Sequence, residues 1–460
     1  DKRTNEKLQP LYAGLGASSE TKMQFEIIFA WRSMCKMPSL NRDDSSRDKV
    51  FKMHLTDEEK AMLNGDFGKA KQWAIDHQIK VGEFFDAPDM VAVSQAHMMA
   101  DPESVGEAGV DFMESIANDG GRVIIPMITD PRGVDLNHYR PLGQTDEMAA
   151  IERRFIAACE AVGIMMTNTC VNYQTIMPPL LGEHVAYGDT GVVIYSNSVC
   201  GARSNFEGGP SALAAGLTGR TPRYGLHLDQ NRKATRRFQV TTQPAELTDW
   251  GVLGAVIGRM SGSYWEVPII EGIESVPTSD EIKHFGAAMA SYGSTPLFHI
   301  IGITPEAPNL TAVSGTSLPI TKITQNDLAA LRSDFGAKGE RPDVIVFAAP
   351  QLSIVEMERV SGLVGGKKLK VPMIVCTSPQ TFGDARRLGF VDTIENAGGT
   401  VLEGTCFYQQ GAREIGEANG WVRLLSNSTK IVNILGGYGY KPALASMKEC
   451  VEAAVTGKIK

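Results

Sequence analysis

Short apolar runs separated by amphipathic stretches recur along most of this 460-residue chain. Met90-Val91-Ala92-Val93, Arg122-Val123-Ile124-Ile125-Pro126-Met127 and Gly191-Val192-Val193-Ile194-Tyr195 are continuous rather than alternating. That is the pattern of strands buried on both faces. Runs at 298–302, 343–347, 371–375 and 400–402 repeat it in the second half. Between them lie helical stretches. Over 145–162, Met148, Ile151, Phe155 and Cys159 recur at spacings of three and four, which predicts a helix. Helices are also expected at 353–361 and 383–388. Thr56 followed by Glu59 is a capping box that opens the main body. Alternating strands and helices predict an α/β fold with parallel sheets joined by helical crossovers. Residues 1–52 differ, with a charged, Ser-rich linker at 39–49. The expected division is an N-terminal extension at 1–52, an α/β region at 53–280 and a second at 281–460.

Charge narrows the partners. Lys+Arg number 45 against 53 Asp+Glu, a net −8, which argues against nucleic acid. No apolar run approaches the roughly 18 residues of a membrane span. The start of the chain is too polar for a signal peptide. Seven cysteines without paired spacing fit reduced thiols, so a cytoplasmic enzyme is expected.

Ligands in open α/β sheets bind beyond the carboxyl ends of strands, so the residues after each apolar run are the candidates. His97 follows the first run, and Cys170 follows 163–166. Cys376 and Cys406 follow the runs at 371–375 and 400–402. Three such thiolates around iron would leave a position open for a leaving hydroxyl, as Lewis-acid dehydration needs. The alternative is that buried cysteines serve as small hydrophobes. A second dense stretch spans 196–210. There Asn197, Ser198, Arg203 and Asn205, with Arg220 further on, offer a grip for a carboxylate beside a helix start; the alternative is a tight structural turn. Ser428 and Lys430 form a polar cluster before an apolar helix. A lysine at a helix start is electrostatically misplaced, which favours a ligand role. His97 and Lys430 are the catalytic candidates within the chain.

Thr169-Cys170-Val171-Asn172-Tyr173-Gln174-Thr175, the stretch 196–210 and Tyr224-Gly225-Leu226-His227-Leu228-Asp229 together resemble the aconitase X family. So do Ile128-Thr129-Asp130-Pro131-Arg132-Gly133-Val134-Asp135-Leu136 and Thr405-Cys406, and the likeness runs from about residue 55 to about residue 457. The resemblance implies an iron-dependent hydro-lyase with an aconitase-like fold, several parallel-sheet subdomains around a cleft. It also implies a small swivelling domain, fused or on a separate subunit. That domain is not recognisable in this chain, so a small partner and its catalytic serine are expected from elsewhere.

Asn172-Tyr173-Gln174 after the first cysteine resembles the branch that dehydrates cis-3-hydroxy-L-proline to Δ1-pyrroline-2-carboxylate. That branch implies a [2Fe–2S] cluster on Cys170, Cys376 and Cys406, with mononuclear iron as the alternative. The archaeal branch, which dehydrates phosphomevalonate, carries a cysteine in a Gly-Cys-Pro-His stretch where this chain has Ala348-Ala349-Pro350-Gln351. Phosphomevalonate dehydration and a non-catalytic iron–sulfur subunit are the rival expectations.

Overall fold

In the computed structural model the described residues are 53–99, 101–314 and 317–459. The 1–52 extension with its linker and Cys35 lies outside the described residues. Among the described residues the strands gather into four sheets. Lys52–Lys460 forms a single unit.

The main body opens at the expected capping box. The Thr56 hydroxyl accepts the Glu59 N–H and the Glu59 carboxylate accepts the Thr56 N–H, starting the helix Asp57–Asn64. The first region contains β1 (Met90–Ala92), β2 (Ala96–Met98), β3 (Met127–Thr129), β4 (Ala186–Tyr187) and β5 (Arg220–Pro222). β2, β3 and β4 make a parallel sheet in the order β3-β2-β4, while β1 and β5 form a separate antiparallel pair. The helix expected at 145–162 is Asp146–Val162, capped by the Thr145 hydroxyl, with Phe155 and Cys159 buried.

Two expected strands are corrected here. The run 122–127 enters a strand only at Met127, and Pro126 before it has no N–H to give a ladder. The run 191–195 is a helix, Thr190–Tyr195, started by Asp189, whose Oδ1 accepts the Gly191 and Val192 N–H groups. Every residue from Gly191 to Tyr195 is buried, so no periodicity separates helix from strand.

The second region holds β6 (Arg236–Val240), β7 (Pro268–Glu271), β8 (His299–Ile300) and β9 (Ile320–Ile323), all parallel in the order β8-β7-β6-β9. Residue 280 therefore falls inside this unit, between β7 and β8, rather than at a boundary between sheets. The helices Leu247–Ser261 and Ser279–Gly293 pack in close contact. A Cβ at Gly254 would lie 2.0 Å from the Phe285 carbonyl oxygen, so only glycine permits this approach.

The third region holds β10 (Val344–Leu352), β11 (Met373–Thr377), β12 (Thr400–Glu403), β13 (Arg423–Ser426) and β14 (Lys441–Leu444). They form a parallel five-stranded sheet in the order β12-β11-β10-β13-β14. From β10 the chain winds outward to β12, then returns to the far side of β10 for β13 and β14. That reversal opens a crevice beyond the carboxyl ends of β10 and β13. β10 also bulges: Phe347 pairs with Val375 and Leu352 with Thr377, five steps against two. The helices expected at 353–361 and 383–388 are Ile354–Val364 and Pro379–Arg387, each started by a serine hydroxyl. Among the described residues no helix is long and apolar enough to cross a membrane.

Candidate active site

Two sheets deliver polar residues from their carboxyl ends. From the first region come His97 on β2, Asp130 just after β3, Asp189 just after β4 and the loop carrying Cys170. From the third come Gln351 on the β10 bulge, Cys376 on β11, Cys406 after β12 and Lys430 after β13. A main-chain seam fastens the two sets. Arg132 N–H bonds the Gly404 carbonyl at 2.8 Å, and its guanidinium bonds the Glu403 carbonyl at 2.7 Å. Gly404 adopts φ +70°, and a Cβ there would lie 3.0 Å from that of Asn168. Glycine thus lets the Cys170 and Cys406 loops approach.

The three cysteines are buried together. The Cys170 thiol donates to Cys406, and that contact, with burial, pushes it well above the ordinary thiol range. Burial pushes Cys376 up as well, beside the Thr405 hydroxyl. Lys430 is buried too. Burial alone would lower its pKa, yet Asp189 (3.4 Å from Nζ), Cys170 and Cys406 outweigh that and hold it protonated. The Tyr408 ring lies under the ammonium at 5.6 Å. His97 Nε2 lies 2.8 Å from the Thr169 carbonyl, and burial lowers its pKa, so the ring is neutral and Nε2 carries the proton. Asp130 is raised by burial and then by Asp189 and Cys170, and its Oδ2 accepts from Gln409 at 2.7 Å. Three buried atoms here, His97 Nδ1, Asp130 Oδ1 and Gln409 Oε1, have no hydrogen-bond partner among the described residues.

The other sequence candidates are already engaged elsewhere. Asn197 bonds both the N–H and the carbonyl of Ser204 and the Pro296 carbonyl, and the Ser198 hydroxyl accepts from Phe298 N–H. Asn205 ties Tyr224, Leu226 and Tyr264 together. Arg203 pairs with exposed Asp229 rather than standing at a helix start, since the helix Gly209–Thr218 begins later. Arg220 pairs with Glu58 and Glu59. Ser428 caps the helix Thr429–Leu435 and donates to the Ala349 carbonyl. Each of these groups is bonded within the chain, and the Arg203 guanidinium, paired with Asp229 through one nitrogen, stays partly exposed.

Sequence reasoning missed Asp189, Tyr408 and Gln409, and gave Asp130 and Gln351 no role. Asp189 follows a two-residue strand that no apolar run announced, and Asp130 lies beyond a strand that the run 122–127 only meets at Met127.

Comparison with known proteins follows the same three regions. Residues 52–230 match the aconitase X first domain, 234–333 the second and 342–456 the third. The phosphomevalonate dehydratase large subunit of Methanothermobacter thermautotrophicus is 34% identical over 80% of this chain and 91% of its own length. The chain belongs to the aconitase X family. A cis-3-hydroxy-L-proline dehydratase of Hypocrea jecorina is 29% identical over 88% of this chain and 69% of its own length. The crystal structure of Thermococcus kodakaraensis aconitase X in its holo-form superimposes with a TM-score of 0.80 at 29% identity, covering 87% of this chain and all of that one. The expected aconitase-like α/β fold is thus observed. Both kinds of relative remove water, and this aconitase X chain is a hydro-lyase.

Aconitase-like enzymes generally use an iron–sulfur cluster. Among the described residues no three His, Cys, Asp or Glu side chains stand arranged to hold a metal ion; Cys170 instead donates to Cys406. The donor set nevertheless fits a cluster in kind and place. One thiol comes from a strand and two from loops, Lys430 favours the thiolate at Cys170, and partnerless buried atoms lie beside them.

Proposed function

We propose that this aconitase X chain removes water from a small, unphosphorylated hydroxy acid, cis-3-hydroxy-L-proline first, to give Δ1-pyrroline-2-carboxylate. One observation supports the reading above the rest: buried thiols meet a protonated lysine at the carboxyl ends of two sheets. Cys170, Cys376 and Cys406 would hold the iron–sulfur cluster, of [2Fe–2S] type, with mononuclear iron as the alternative. Iron there would act as a Lewis acid toward the departing hydroxyl.

The chain's own residues do the rest. The Lys430 ammonium offsets negative charge as the α-proton is withdrawn, in a buried setting where the charge acts strongly. His97 holds the Thr169 carbonyl and so orients Cys170. Lys430 is not the base, since it is held protonated; neutral His97, its Nε2 proton committed to Thr169, keeps a basic lone pair only on the partnerless Nδ1. The proton acceptor is proposed to come from a small partner, as expected for a chain whose relatives include proteins named large subunits. Loss of the α-proton and of the 3-hydroxyl leaves an enamine that tautomerises to the cyclic imine, with one water released.

Phosphomevalonate dehydration is the second reading, favoured by the 34% identity to a large subunit of that enzyme. Against it, Lys283 is spent on Glu356 and Asp280, and Lys430, shared with Asp189, sets a single ammonium against the nearly two charges of a phosphate. The test is anaerobic purification, iron and acid-labile sulfide per chain, then turnover with the small partner added. About two irons and two sulfides per chain support the [2Fe–2S] form. Water loss from cis-3-hydroxy-L-proline supports the first reading, and turnover of 5-phosphomevalonate alone overturns it. Cys406→Ser is expected to abolish iron retention in a folded chain; full iron content there ends the ligand assignment.

A further inference from the structure

The bulge of β10 turns one fully buried polar side chain, Gln351, toward the loops that carry all three cysteines. Its side-chain oxygen accepts the Cys170 N–H at 3.2 Å. Its side-chain nitrogen lies 3.1 Å from the Asn168 carbonyl, 3.1 Å from that of Thr405 and 3.3 Å from that of Thr377. Asn168 stands just upstream of Cys170, Thr377 directly follows Cys376, and Thr405 directly precedes Cys406. One amide therefore grips the backbone beside every proposed ligand. The Gln351 main chain joins in: its N–H points at the Cys170 sulfur at 3.5 Å, and its carbonyl accepts from Lys283 Nζ at 3.3 Å. Lys283 is in turn fixed between Glu356 and Asp280.

The chemistry of the side chain is specified as tightly as its place. Three carbonyls surround the nitrogen and one N–H faces the oxygen, so a reversed amide would set oxygen against oxygen. A glutamate would press a buried negative charge against the same three carbonyls, and a methionine of similar length offers no N–H donor. Cys170 arrives from the first region and Cys376 and Cys406 from the third, so their mutual placement depends on cross-links between loops of different sheets. Building on the proposed cysteine ligand set, we infer that Gln351 is the positioning residue that sets the spacing of the three thiols. It thereby governs how firmly the cluster is retained.

The experiment compares the full chain with Gln351→Met, Gln351→Glu and Asn197→Ala, all purified anaerobically. It reads iron and sulfide per chain, the visible spectrum, the rate of iron release to a chelator well below the melting temperature, and the melting temperature itself. Asn197→Ala calibrates plain destabilisation, since its bonds lie outside the cysteine loops. Gln351→Met and Gln351→Glu are expected to release iron at least about tenfold faster than wild type, the scale of losing a group that orients metal ligands, with an altered spectrum. Asn197→Ala keeps the wild-type rate and spectrum despite its lower melting temperature. Wild-type release and spectrum in both Gln351 variants overturn the inference while leaving the cysteine assignment standing. Failure of the assignment itself looks different: wild type without iron, or Cys406→Ser with full iron, and the inference falls with it. Should neither Gln351 variant fold, Gln351→Asn decides, because it keeps the amide but shortens its reach. Faster release there supports the positioning role, and wild-type release overturns it.

Discussion

The stretch 196–205 and the cysteine loops both stand out in the sequence, and the structure gives them opposite characters. In the first, Asn197, Ser198 and Asn205 are buried and bonded to the backbone around them, and the Ser196 hydroxyl alone keeps no partner among the described residues. In the second, His97, Asp130 and Gln409 each keep a buried atom without a partner among the described residues, beside three thiols and a lysine. Buried polar groups in folded proteins are nearly always paired. A cluster of exceptions therefore separates a place meant to receive something from a place meant to hold still. Polar density alone, which is all a sequence displays, does not make that distinction.

The largest expected effect comes from the lysine of the unsatisfied cluster. Lys430→Met leaves Asp189 buried without its counter-charge, a loss of about 3–5 kcal/mol seen as a lower urea midpoint, together with loss of turnover. A variant of wild-type stability would show that Asp189 does not depend on it. Next is Asn197→Ala, which strands the Ser204 and Pro296 backbone groups and costs about 1–3 kcal/mol while iron content stays unchanged. Iron loss in that variant would erase the contrast between the two stretches.

A pH effect sharpens the same contrast. Burial raises Glu152, which lies near Arg132, to about 8, and likewise Glu103 to about 7 and Asp101 to about 6. Each binds its proton more tightly folded than unfolded. Their contribution to stability is therefore complete below about pH 4 and is lost as pH rises through 6 to 8. Melting temperature is expected to fall over that window, and Glu152→Gln to make the fall shallower by at most about 1.4 kcal/mol per pH unit. Equal slopes in wild type and variant would refute the assignment to Glu152. The smallest effect belongs to Arg203→Ala, which breaks a pair with exposed Asp229 worth about 0–1 kcal/mol and leaves KM unchanged. A rise of about tenfold in KM, worth about 1.4 kcal/mol, would restore the carboxylate grip and break the comparison.

Strand-end logic pointed to Cys170, Cys376, Cys406 and His97, and helix-start electrostatics to Lys430; the structure sets all five at the converging ends of two sheets. Sequence reasoning failed at Gly191 to Tyr195, where complete burial erased the periodicity that tells a helix from a strand. It offered Arg203 and Arg220 as ligand groups with no view of Asp229, Glu58 and Glu59, with which they pair. Gln351 was legible only as a departure from a family pattern. Its bonds reach 181 positions back to Cys170 and 54 forward to Thr405, distances at which local spacing carries no signal.

What the sequence determined by itself is therefore local and periodic: the capping box at Thr56, the helix Asp146–Val162, buried parallel strands and the family to which their order belongs. Those features follow from neighbours a few residues apart along the chain. Only the tertiary structure decided which polar side chains are spent on one another and which are left facing a common point. That outcome depends on partners brought together by the crossing of separate sheets, and hydrogen-bond satisfaction is a property of the pair rather than of either residue.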